Sequence, residues 1–165
     1  MNSVILIGMP GSGKSTVGVL LAKALGYSFV DTDLIISRKA EKTLQRIIDE
    51  DGLEEFLKLE AQTGEELECD CTVVATGGSM VLCDKAMENL RNQGKVVFID
   101  VPLCEIEKRV TNIKTRGIAF AKDETLADVY RERTPLYKKY ADITADFTGG
   151  SIEEAVENVL SQLNK

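Results

Sequence analysis

Gly8-Met9-Pro10-Gly11-Ser12-Gly13-Lys14-Ser15 is the stretch on which the reading of this chain turns. A short apolar run, Val4-Ile5-Leu6-Ile7, precedes it, and an amphipathic stretch over residues 16–25 follows. Strand, glycine-rich loop and helix in that order, with the spacing G-x-x-x-x-G-K-S, form the phosphate-binding P-loop pattern. Gly8, Gly11 and Gly13 open backbone angles that a β-carbon forbids. Successive N–H groups can then face phosphate oxygens. The unpaired N–H groups and the dipole of the following helix favour an anion at the same place. Lys14 is expected to reach the β- and γ-phosphates of a nucleotide, and the Ser15 hydroxyl to bind Mg²⁺. A chance match in a surface loop would lack the flanking strand and helix.

Working outward, the bulk properties narrow the field. A chain of 165 residues is expected to form one domain, 1–165, with a core that needs no staples. A net charge of −7 argues against a general nucleic-acid binder. It leaves room for an anionic substrate, because a P-loop makes its own local positive field. The absence of histidine removes histidine-based general bases, triads and zinc sites. No apolar run approaches the ~20 residues of a membrane span. The N-terminus enters a strand with no basic-then-apolar signal segment, so no membrane partner and a cytoplasmic location are expected. Cys69 and Cys71 have C-x-C rather than C-x-x-C spacing, and with Cys83 and Cys104 they read as reduced thiols.

After the P-loop, the spacing predicts a helix over 14–25, with Val17, Leu20, Leu21, Ala24 and Leu25 on one face and Gly26 at its end. A second strand is expected over 27–30, leading into Asp31-Thr32-Asp33. Asp33 is positioned to cap a helix starting at Leu34. Thr43 is expected to cap a helix over 44–50, and a longer one over 53–67 places Phe56, Leu59, Glu60 and Thr63 at helical spacing. The stretch of about 34–68 is rich in helix without a strand of its own. It reads as a helical insertion, a natural place for a second substrate. A third strand over 72–76 ends at Gly77-Gly78-Ser79, and a helix over 84–92 leads through a Gln93-Gly94 turn to a fourth strand over 95–100. Pro102 sits at the start of the next helix, which reaches about residue 110. Residues 111–123 lack periodicity and carry Lys114, Arg116, Gly117 and Lys122, the expected lid. A helix over 126–140 contains Pro135, which predicts a kink or break near Thr134. A fifth strand over 143–147 precedes a capping box, Ser151-Ile152-Glu153-Glu154, that opens the last helix.

Strands and helices alternate, so the expected class is α/β: a three-layer P-loop NTPase fold, with a five-stranded parallel sheet and helices on both faces. Ligands of such sheets lie at the carboxyl ends of the strands. There the pattern gathers the P-loop, Asp31 with Asp33, and Gly77-Gly78. Phosphoryl transfer needs held phosphates, a neutralising cation and a positioned nucleophile. Asp31 and Asp33, two apart on one face of a strand, are expected to divide two tasks. One orients Mg²⁺ through water, and the other contacts an acceptor hydroxyl. Arg116 is the candidate to cover the transferring phosphate.

At this point the chain resembles the shikimate kinase family, within the nucleoside-monophosphate-kinase-like P-loop group. The resemblance runs over about 4–163. It rests on the P-loop, Asp31-Thr32-Asp33, Phe56 with Glu60, Ala75-Thr76-Gly77-Gly78, Arg116, and Arg133-Thr134-Pro135-Leu136-Tyr137 followed by Ala141-Asp142. What it implies is an ATP- and Mg²⁺-dependent kinase forming shikimate 3-phosphate. Nucleotide contacts would come from Gly11, Ser12, Gly13, Lys14, Ser15, Thr16, Arg109 and Arg116, with residues 147–151 passing the adenine. Metal contacts would come from Ser15 and Asp31. Acceptor contacts would come from Asp33, Gly77, Gly78, Ser79 and Arg133, the last pairing with a carboxylate. Lys14, Asp33 and Arg116 would be catalytic, and the partners would be ATP and a small hydroxylated, carboxylate-bearing substrate bound by a monomer.

Three positions depart from the family pattern. Leu57 stands where that pattern has an arginine gripping the substrate carboxylate, Ser79 where it has a third glycine, and Gly117 where proline follows the lid arginine. An aliphatic side chain cannot make the bidentate pair, and Lys58 lies ~100° further around the helix. The alternatives are therefore a kinase of another small polyol or hydroxy acid, and a non-catalytic nucleotide-binding regulator.

Overall fold

In the computed structural model, residues 3–110 and 118–164 are described. Five strands, β1 (Ser3–Ile7), β2 (Ser28–Asp31), β3 (Thr72–Ala75), β4 (Gly94–Asp100) and β5 (Ile143–Asp146), form one sheet in the order β2-β3-β1-β4-β5. Every pairing is parallel. Central β1 is buried at all five residues, which is why its sequence is an unbroken apolar run rather than an alternation. Chain order runs from β1 outward to β2, back to β3, and then across β1 to β4. The switch lies beside the carboxyl end of β1, so the P-loop emerges facing the loop after β3.

Helix α1 (Lys14–Leu25) closes on Gly26, whose left-handed backbone lets its N–H reach Ala22 O. α2 (Thr32–Ala40), α3 (Leu44–Arg46) and α4 (Leu53–Glu66) follow β2. They enclose a small second core of Ile36, Ile47, Phe56 and Ala119. α5 (Asp84–Gln93), α6 (Leu103–Arg109), α7 (Leu126–Tyr140) and α8 (Ile152–Leu163) complete the helical layers. α8 opens on the capping box predicted at Ser151 and Glu154.

Five local expectations are corrected. Asp31, not Asp33, caps α2: its Oδ1 accepts from Asp33 N at 2.9 Å. The helix therefore begins at Thr32. Asp33 sits in its first turn rather than on the strand face shared with Asp31. The helix predicted over 44–50 becomes α3 plus a π-turn, Ile47–Asp51, that ends at Gly52 with φ 96°. Gln93-Gly94 makes no turn. α5 runs straight into β4, and Gly94 is extended and packed so tightly on the Ser3 backbone that no Cβ fits. Finally, α7 is continuous through Pro135. The ring lies on the exposed side, while Val129, Arg133, Tyr137 and Tyr140 anchor the other. Packing on that face outweighs one missing backbone hydrogen bond. Two features escaped the sequence reading: a 3₁₀ turn at Met80–Leu82 and a capping box of Thr125 with Asp128.

Candidate active site

A cavity of about 300 Å³ opens where the P-loop faces the loop after β3. Gly11 and Gly13, both left-handed, shape its floor (φ 78° and 89°), conformations that side chains rarely tolerate. Gly11, Gly13, Lys14, Ser15 and Thr16 line it. Lys14 is buried, and its Nζ donates to Gly8 O at 2.9 Å and Met9 O at 2.8 Å. Ser12 lies beneath the loop, its Oγ 3.4 Å from the same ammonium. Arg109, on α6, donates from Nη1 to Ser12 O at 3.4 Å and so flanks the loop from outside the cavity. Ser15 Oγ donates to Asp31 Oδ2 at 2.7 Å.

From the opposite wall come Asp33 on α2, Phe56 and Glu60 on α4, Gly77, Gly78 and Ser79 after β3, and Arg133 on α7. Gly77 is required by close approach: a Cβ there would meet Glu60 Oε1 and lie 3.0 Å from Asp33 Oδ1. Its N–H donates to Thr32 Oγ1 at 3.1 Å. Tyr137 OH donates to Gly78 O at 2.6 Å while its ring stacks on Phe98, so the loop is held from both sides. Arg133 is 3% exposed. Its Nη2 donates to Ala119 O at 2.8 Å, but Nε and Nη1 have no partner among the described residues.

Burial sets the charge states. It pulls Lys14 down to about 8, although Asp33 and Asp31 beside it work to keep it charged. It pushes Asp33 up to about 6, helped by Asp31 and opposed by Lys14. It pushes Glu60 up to about 7, with the Ser79 hydrogen bond opposing and Asp33 adding to the rise.

The sequence-predicted residues thus converge, with three refinements. The Ser79 hydroxyl donates to Glu60 rather than facing the open cavity. Arg116 lies outside the described residues. Of the expected lid, residues 111–117 lie outside the described residues, and Ile118 and Ala119 are buried against the site. Glu60 carries no assigned role in the sequence pattern, yet it is a wall of the cavity. The available signal was a lone carboxylate between Phe56 and Thr63 on the buried stripe of α4.

A P-loop at the head of a parallel sheet, facing a pocket with an aspartate pushed up to about 6 and a buried guanidinium that keeps two nitrogens unpartnered among the described residues, defines a P-loop phosphotransferase. Residues 10–164 match the shikimate kinase family. The chain is 37% identical over 161 residues to a shikimate kinase of Clostridium botulinum (strain Eklund 17B / Type B), covering 96% of this chain and 94% of that one. It is 39% identical over 165 residues to one from Synechococcus sp. (strain RCC307), covering 98% and 84%. The fold is similar to that of shikimate kinase from Acinetobacter baumannii in complex with shikimate, with a TM-score of 0.91, 29% identity, and coverage of 99% and 93%. The chain belongs to the shikimate kinase family. It is an enzyme that phosphorylates a hydroxyl of shikimate at the expense of ATP.

Proposed function

We propose that the cavity holds shikimate between Asp33 and Arg133, and that its 3-hydroxyl is the one phosphorylated. The observation that carries this is Arg133: a cation buried on all sides, with two nitrogens unpartnered in the described structure. Buried donors without partners are costly, and a carboxylate is the ligand that offsets them best. Lys14 and Arg133 are the two cations lining the cavity among the described residues. Lys14 belongs to the phosphates, which leaves Arg133 for the acid. Leu57 packs on the second core and lines no part of the cavity, so Arg133 holds the carboxylate without help from that position.

Asp33 orients the attacking hydroxyl and takes its proton as the bond from that oxygen to the γ-phosphorus forms. The bond from phosphorus to the β-bridging oxygen breaks, and ADP leaves with the electron pair. Lys14, freed from the loop carbonyls, follows the charge on the β- and γ-oxygens. P-loop N–H groups hold the same oxygens. Arg109 flanks the nucleotide, and Arg116 is assigned to the phosphates on sequence grounds alone.

Ser15 Oγ and Asp31 Oδ2 fit Mg²⁺, since they are hard oxygen donors in contact beside the phosphate site. The ion neutralises charge on the phosphates when bound. We also assign one domain, 1–165, with residues of about 34–68 serving the acceptor, acting as a monomer in the cytoplasm. In support of that compartment, Cys69, Cys83 and Cys104 carry free thiols. Among the described residues no helix is long and apolar enough to cross a membrane.

Arg133→Gln tests the assignment. Losing a buried charge-assisted pair at about 3 kcal/mol should raise the KM for shikimate about a hundredfold, with the KM for ATP nearly constant. Equal increases in both would contradict the carboxylate role.

A further inference from the structure

Among the described charged residues lining the cavity, Glu60 is the one with no task in the transfer described above. It is 1% exposed, on α4. Its Oε2 accepts from the Ser79 hydroxyl. Its Oε1 is buried with no hydrogen-bond partner among the described residues. That oxygen lies over Gly77, where Asp33 Oδ1 also approaches. Two carboxyl groups therefore face one small space, which suits a compound carrying adjacent hydroxyls. A buried acceptor without a donor is a slot for a ligand donor.

What fixes the slot is Ser79. Leu57 lies one helical turn before Glu60, on the neighbouring position of the same face, and its side chain has nothing to donate. Ser79 supplies the donor from across the pocket instead. Its backbone, at φ −98°, is accessible to any residue, so the serine is not there for its conformation. The site can hold Glu60 charged or neutral. Lys14 on α1, Asp33 on α2, and Arg133 and Tyr137 on α7 surround it, and the Ser79 bond favours the charged form.

We propose that Ser79 is a positioning residue for the acceptor pocket: its bond to one Glu60 oxygen turns the other toward a hydroxyl of the bound acceptor. Glu60 and Asp33 then read neighbouring hydroxyls, while Arg133 reads the acid. This rests on the placement of shikimate given above and adds a specificity element to it.

Steady-state kinetics of Ser79→Ala, Ser79→Gly and Ser79→Thr with shikimate and ATP test it. Deleting the hydroxyl should raise the KM for shikimate about tenfold, the worth of one hydrogen bond to a charged group. The KM for ATP should move less than about twofold, and Ser79→Thr, which keeps the hydroxyl, should restore the value. The pH dependence of the shikimate KM should also shift upward in Ser79→Ala, because Glu60 loses the donor that favours its charge. An unchanged shikimate KM in both deletions, or equal rises for the two substrates, overturns the role of Ser79 and leaves the Arg133 reading intact. Failure of the unaltered enzyme to phosphorylate shikimate overturns both.

Discussion

Asp31 and Asp33 are two residues apart and make different contacts because one ends a strand and the other lies in the first turn of a helix. Asp31 spends Oδ1 on the Asp33 N–H and Oδ2 on the Ser15 hydroxyl. Asp33, half-buried, keeps its carboxyl for the cavity and is pushed up to about 6. A base is most effective when its pKa is near the working pH. Asp33→Asn should therefore lower kcat by about 10²–10⁴-fold while leaving ATP affinity in place. In the unaltered enzyme, kcat/KM should rise as pH climbs through about 6, where Asp33 loses its proton. It should fall above about 8, where Lys14 loses its own. A flat profile between these limits and beyond would contradict the pairing of roles. The presence of both aspartates was legible in the sequence. Which of them caps α2 was not, because a single residue of offset in the helix start decides it.

At the scale of elements, what was legible followed backbone chemistry with a fixed signature. The P-loop before α1, Gly26 after it and the Ser151 box before α8 all stand where the pattern put them. Misreadings came where tertiary packing overrides a local signal. Pro135 carries a helix-breaking signal, yet α7 is pinned through Arg133, Tyr137 and the stack on Phe98. Gly94 carries a turn signal, yet it is glycine because β4 lies against the backbone of Ser3. Gly94→Ala should cost about 1–3 kcal/mol through overpacking between β1 and β4. The denaturation midpoint measures this. A change of a few tenths would mean that the two strands separate more easily than their burial implies.

The whole molecule concentrates its unfavourable burial at one place. Glu60 and Asp33 bind protons more readily in the folded chain, at about 7 and 6, than at their ordinary values of 4.5 and 3.8. Between about pH 4 and 7 the folded state therefore holds more protons than the unfolded one, and stability falls as pH rises. Lys14, lowered from 10.5 to about 8, acts with the opposite sign, and its contribution rises with pH above about 8. Melting curves of the ligand-free enzyme should show Glu60→Gln reducing the loss of stability between about pH 5 and 7.5. An undiminished loss would place Glu60 in a wetter setting than its burial indicates. Stored cost of this kind is common where a site is organised for a charged ligand rather than for stability. It also explains why Glu60 was hard to assign from sequence: it sits on a buried stripe between Phe56 and Thr63, and only the fold turns that stripe toward Ser79 and Arg133.

The central claim is that this pocket, with Leu57 in place of an arginine, still receives shikimate. ADP release with shikimate as acceptor, followed by locating the phosphate on the product, measures it directly. The account predicts a single phosphate on the 3-hydroxyl and turnover that collapses in both Asp33→Asn and Arg133→Gln. Bound ATP with no phosphate on shikimate, alongside ready transfer to another hydroxylated acid, would contradict it.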